Sequence, residues 1–472
     1  MPRIHIAALL IACAILAGCR ERSPAASRAD GPPRLLAVNE LSDAEKLYGH
    51  SAAPSRAVTY QPDVVMLPDG ATAIRGVSAD SVVWTIDPDS EAAEKIQPGK
   101  VLLATSRAVG RVLAVEKGRD GLRVVLGPVE ITEVIRDGQF NLNQPVNFTE
   151  GLSFARPEVF DPPIAQNPLL TRLDHDGVFV RPVALAGANP VVHRFSVTPL
   201  IDSTGVGVRI KSTGADGVMF LGEAVLYLKA PELHFTLDIR DGKVTTVEVE
   251  LAGVAGLLVS FEAAMPRPTD ANIDEVRPAF SDLVIPVSGL GGVPFAVNVR
   301  QKFLLKTMFT STGALKARGY YTLKGGVRAG YRDGKFSVGG PTGFGAQETL
   351  LPSLEGVAMG PTGMVMTHQV SVIVGLGAFG FVTGPYAYLN SSVAATKGSS
   401  IGAVICRQES VSMGLGAGVG YQMPEQVTNA INAVLSVLGI RERIQSSGGI
   451  QTKPTLIVQK GWYHPGREFC KI

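Results

Sequence analysis

Residues able to do chemistry are thinly spread along this chain. Asp174-His175-Asp176-Gly177 gathers two carboxylates around an imidazole, which is the raw material of acid–base catalysis. The same string also reads as a turn with solvated side chains, because Asp-Gly is a strong turn signal, and that is the reading we expect. Gly375-x-Gly377-x-x-Gly380 matches the dinucleotide fingerprint and follows the strand-like Val370–Val374. That fingerprint needs a helix next, so that its N-terminus faces a pyrophosphate. Phe381-Val382-Thr383-Gly384-Pro385 follows instead, which does not begin a helix, so nucleotide binding is not expected. His193, His234 and His368 stand in strand-like contexts with no partner visible in the sequence. Trp462-Tyr463-His464 is the densest aromatic cluster, either a ligand platform or, as we expect, a plug in the core. His-Glu-x-x-His and Cys-x-x-Cys are both missing from the sequence. We therefore expect no catalytic, cofactor-binding or metal-binding residue. A carboxylate pair for glycoside hydrolysis stays open, because such pairs are assembled in space.

The sharpest local signal is at the N-terminus. Arg3 precedes an apolar run from Ile6 to Ala17, and Leu16-Ala17-Gly18-Cys19 closes it. A basic start, a short apolar stretch and small residues before a cut form a secretory signal. The run is shorter than the roughly 20 residues a membrane span needs. Small residues directly before a cysteine resemble the lipobox of bacterial lipoprotein precursors. The resemblance covers residues 1–19 and implies cleavage after Gly18 and acylation of Cys19 by diacylglycerol. It implies a protein anchored to a cell-envelope membrane by lipid, facing the periplasm or the surface. Arg20 follows, where an aspartate retains enterobacterial lipoproteins in the inner membrane. The resemblance thus favours the outer membrane. Residues 19–37 are small, polar and Pro-rich and are expected to form a flexible tether.

Beyond Cys13 in the signal and Cys19, the chain has Cys406 and Cys470. In the oxidising compartment implied by the lipobox, an even pair favours a disulfide. The rival is two free buried thiols. A disulfide there would staple the C-terminus onto the last β region.

Composition sets wider bounds. The chain has 472 residues and a formal charge of +2, with both signs interspersed. There is no basic stripe to follow a phosphate backbone, so nucleic acid is not an expected partner. Aromatic residues make up only 6% of the chain, with Trp84 and Trp462 the two tryptophans, which counts mildly against sugar and nucleotide sites. The length suggests more than one domain.

Asp-Gly punctuates the chain, including Arg-Asp-Gly at Arg119, Arg136, Arg240 and Arg332. Around Asp241-Gly242, alternating apolar and polar residues from Phe235 to Leu251 read as two strands joined by a tight turn. Residues 60–140 read as a small β domain, with strands near 64–67, 82–86, 101–105, 109–115, 122–126 and 129–135. A short helix is expected over 42–48. Residues 141–190 carry many Pro, Asn and Asp and read as a linker or extended arm. Residues 191–472 read as a larger antiparallel β domain. Within it, Val370–Ala378 and Val411–Ala417 share a Gly-Leu-Gly-Ala core. One helix is expected at 424–438, where Pro424 suits a first position and Val427, Ile431, Val434, Leu435 and Leu438 share a face.

The expected fold class is mostly β. A small N-terminal barrel or sandwich is followed by a larger antiparallel sandwich or open barrel with one C-terminal helix. The leading function is a non-enzymatic, lipid-anchored envelope protein that binds an envelope protein or polymer, or serves as a scaffold. The alternatives are an envelope-polymer hydrolase with a site invisible in the sequence, and an outer-membrane export or channel component.

Overall fold

The computed structural model describes residues 33–41, 57–155 and 195–470, except 69, 78–82, 105–107, 213–217, 268–271, 289–294, 333, 357–360, 379–380, 401–403, 423–427, 429–430, 434, 437–442, 446 and 468–469. The fold is mostly β and antiparallel, and no sheet closes into a barrel among the described residues. Cys19, the tether before Pro33, the helix expected over 42–48 and Asp174-His175-Asp176-Gly177 lie outside the described residues. So does His193. No helix among the described residues is long and apolar enough to cross a membrane.

Three sheets account for the strands. The small sheet has the order 64–67, 101–104, 108–118, 121–127, 83–86, 74–77, and its 64–67 and 101–104 strands run parallel. Alternation in Val101-Leu102-Leu103-Ala104 sends side chains both ways. Leu102 and Ala104 join Trp84, Ile86 and Val124 in a small core, whereas Val101 and Leu103 join the main core. Both faces are covered, which is why all four residues are apolar. The strand expected at 129–135 is instead a helical turn, Ile131–Val134. The Glu133 side chain accepts from the Glu130 backbone N–H at 2.7 Å, closing a capping box. Ile131 and Val134, three residues apart, are thereby buried on one side.

The first large sheet is built around Lys243–Met265. One edge of that strand pairs with Glu232–Arg240 and Met219–Leu228, and the other with Gly313–Arg332. The stretch expected to be a linker from residue 141 begins inside a strand, Ile135–Pro145, which pairs with Glu232–Arg240. Its asparagines fall at the exposed positions of a regular alternation, Phe140 and Leu142 pointing inward, so polar composition there marks a sheet face. A further strand, Leu152–Ala155, pairs with Asp274–Ser288, and residues 156–190 are outside the described set. Gly313–Arg332 is one long strand that continues through Gly325-Gly326. Gly325 (φ +121°) and Gly253 (φ +85°) sit where the register between the two long strands shifts. Glycine takes these angles without a Cβ clash, so the strands bend and continue.

The second large sheet runs Asp274–Ser288, Phe295–Phe309, Thr362–Ala378, Phe381–Ser400, Val404–Gln422, with Ser447–Gln451 and Thr455–His464 both on the last edge. The two segments sharing Gly-Leu-Gly-Ala flank the same central strand, Phe381–Ser400. The large sheets pack face to face as a β-sandwich. Their common core joins Val249, Phe261 and Leu315 of one to Val299, Val372 and Met413 of the other. Phe140 and Phe295 meet across it with ring centres 5.0 Å apart. Of the helix expected at 424–438, described residues 428, 431–433 and 435–436 are helical, and Ile431 and Leu435 are buried in this core.

Candidate functional site

Tyr321, Glu409, His368 and Gln301, buried at inward positions of the sandwich, form two ties between its sheets. The first joins Gly313–Arg332 to Val404–Gln422. In the latter strand Val411, Met413, Leu415 and Ala417 point inward at a period of two, and Glu409 continues that row, 0% exposed. Tyr321, also 0% exposed, continues the inward row of Leu315 and Ala317. The phenol donates to Glu409 Oε1 in a short contact. Glu409 Oε2 accepts the Leu351 N–H at 3.2 Å, at the start of a single helical turn, Leu350–Ser353. Both carboxyl oxygens therefore have donors.

Aromatic side chains close this tie. Phe344 stacks on Tyr321 with centres 5.9 Å apart, and Trp462 lies at 6.3 Å. Trp462 is directly opposite Glu409 on the neighbouring strand. Of the Trp462-Tyr463-His464 cluster, then, the tryptophan serves as a plug while His464 is exposed. Burial raises the Glu409 carboxyl above its ordinary range, opposed by the hydrogen bonds from Tyr321 and the backbone. Burial and the neighbouring carboxylate raise the Tyr321 phenol, so it keeps its proton and remains the donor.

The second tie is near the middle of the sandwich. His368 is 2% exposed, and its Nε2 donates to Gln301 Oε1 at 2.9 Å. Gln301 Nε2 donates in turn to the Gly207 carbonyl of the first sheet at 3.0 Å. Burial pushes the His368 imidazole down to about 4, so it is neutral at physiological pH. His234, by contrast, lies at the surface with Glu232 at 3.6 Å.

The cysteine pair is brought together. Cys406 and Cys470 are at disulfide distance with Cα atoms 5.4 Å apart, at the end of the strand that carries Glu409. Gly375 and Gly377 lie within the strand Thr362–Ala378, which pairs antiparallel with the strand that follows it. The segment that follows, Phe381–Ser400, is a strand. No group of three or more His, Cys, Asp or Glu able to hold a metal exists among the described residues.

Both ties are buried in the sandwich. A general acid or base has to come within hydrogen-bond reach of the reacting atom. Tyr321 and Glu409 join the two sheets and Glu409 holds the Leu351 turn, whereas His368 bonds to Gln301 on the neighbouring strand of its own sheet and Gln301 crosses to Gly207 of the other. Sequence inspection singled out His368 without its partner and missed Glu409, Tyr321 and Gln301. The available signal was a polar residue in phase with an inward apolar row, as Gln301 is with Val297, Val299 and Phe303.

Fold and site thus define a two-sheet antiparallel sandwich with a small β sheet packed on its core, held by interior polar ties. The chain belongs to the family described as a domain of unknown function, DUF8402, whose model matches residues 179–452, more than half of the chain. A second model, also described as a domain of unknown function, DUF8403, matches residues 44–137, the region of the small sheet. No curated protein and no solved structure matches the chain.

Proposed function

We propose that this protein is a non-enzymatic envelope lipoprotein, anchored through acylated Cys19 and acting as a binding or scaffold module at the outer membrane. The observation that carries it is the use to which the buried polar groups are put. Tyr321–Glu409 and Gln301–Gly207 join the two sheets, Glu409–Leu351 joins a sheet to a turn and His368 holds Gln301 in place, so these buried polar interactions serve rigidity. A rigid body at the end of a polar tether fits a module that presents a surface to a partner. Acyl chains contribute about 0.8 kcal/mol per buried CH₂, so several on one cysteine hold firmly. A disulfide between Cys406 and Cys470 suits the oxidising side of the membrane.

The test is chemical cross-linking of the intact acylated protein in native envelopes, followed by purification and quantitative mass spectrometry. A partner protein recovered at fixed stoichiometry, and lost when Cys19→Ser releases the chain from the membrane, supports the proposal. Recovery of the protein alone, together with turnover of an envelope polymer by the purified chain, overturns it in favour of a hydrolase.

A further inference from the structure

The last edge of the second sheet is open. Ser447–Gln451 and Thr455–His464 lie end to end along Val404–Gln422, and among the described residues neither has a strand on its other side. Together they present an edge about 50 Å long at roughly 3.3 Å per residue, interrupted at 452–454. Gln459, Lys460 and Gly461 are exposed in succession. Successive strand residues face opposite sides of a sheet, so both sides are uncovered there. Alternate N–H and C=O groups of such an edge point to solvent and can receive another strand. The edge also displays two of the most exposed large apolar side chains of the protein, Ile450 at 63% and Leu456 at 58%.

Charge selects what this edge would accept. From Ser447 to Arg467 the sequence holds Lys453, Lys460, His464 and Arg467 and not one Asp or Glu. Lys453, Lys460 and Arg467 are all exposed. A second copy of this edge would bring lysines against lysines, and like charges facing each other across strands are unfavourable. Lysine at an edge is also a device against self-pairing. An extended segment with acidic side chains meets the basic row with attraction and the Ile450 and Leu456 side chains with its apolar residues.

We infer that the edge formed by residues 447–464 takes up an extended, acid-bearing strand of a partner protein. This rests on the binding-module proposal and gives that module its contact. The full-length acylated protein in detergent is mixed with a synthetic peptide alternating valine and glutamate, and with the same peptide carrying lysine for glutamate. Affinity is read by fluorescence anisotropy and the contact by amide hydrogen exchange. The glutamate peptide is expected to slow exchange within 447–464 and to bind at least ~10-fold more tightly than the lysine peptide. The double variant Lys453→Glu, Lys460→Glu, at two exposed positions that leave the core untouched, is expected to reverse that preference.

Equal binding of the two peptides overturns the inference, as does unchanged exchange at this edge. Protection at another edge, such as 195–202, overturns it too. Self-association that protects 447–464 would assign the edge to a second copy instead. The peptide assay requires no captured partner. A negative result here beside a partner recovered from envelopes removes only the contact, whereas recovery of the protein alone with turnover of an envelope polymer removes the binding-module proposal whatever the peptides show.

Discussion

Tyr321 and Glu409 sit 88 residues apart in the chain, on opposite sheets, and the phenol of one donates to the buried carboxyl of the other. Removing the donor leaves a buried acceptor unsatisfied, which costs about 1–3 kcal/mol. Tyr321→Phe keeps the ring and its contact with Phe344 and deletes only the hydroxyl. The expected outcome is a lower denaturant midpoint with an unchanged m-value, measured by urea unfolding.

His368 and Glu409 respond to pH in opposite senses. The His368 imidazole is held down to about 4 in the folded state against about 6.5 when unfolded. The unfolded chain takes up the proton first, so this contribution is complete above pH 6.5 and is lost as pH falls toward 4, by ~3 kcal/mol. Glu409 is raised when folded, so its effect favours the folded chain at low pH and fades as pH rises through its folded value. Unfolding measured from pH 7.5 to 4 should show His368→Gln flattening the acid limb and Glu409→Gln steepening it.

Cys406 and Cys470 are 64 residues apart in sequence. Closing a loop of that length stabilises a fold by about 4 kcal/mol in the chain-entropy model. The Cys470→Ser variant is expected to lose stability of that order under oxidising conditions. Under reducing conditions, variant and native protein should unfold at the same denaturant concentration.

Asp241 (φ +48°) and Gly242 (φ +69°) form the tight turn between Glu232–Arg240 and Lys243–Met265. A Cβ on Gly242 would also press on Gln61 Nε2, which donates to the Thr132 carbonyl at 2.8 Å. Gly242→Ala is expected to cost about 1–2 kcal/mol and to speed amide exchange at residues 61–64, read by hydrogen-exchange mass spectrometry.

The hairpin at Asp241-Gly242 is legible in the sequence because its information is local: two alternating runs flank a dipeptide that favours positive φ. Phe235 pairs with Val249 and Leu237 with Val247, as that alternation implies. Most strands of the small sheet are legible from the same alternation, but Ile74–Val77 is missed and Val129–Ile135 is a helical turn, where a capping box overrides β-branched propensity. Strand length is not legible, since Gly253 and Gly325 look like ends and are bends. The Tyr321–Glu409 tie is least legible of all. Its two halves show only as polar residues in phase with inward apolar rows, and their meeting is set by how the sheets stack.

The lipid at Cys19 is the premise on which envelope binding rests, and one mass measurement reaches it directly. The protein is purified from membranes of its own cells, digested, and the peptide beginning at Cys19 is weighed intact. The account predicts a mature chain that starts at Cys19 and carries the mass of a diacylglycerol thioether. An unmodified Cys19 thiol, or a mature chain that starts at another residue, contradicts it.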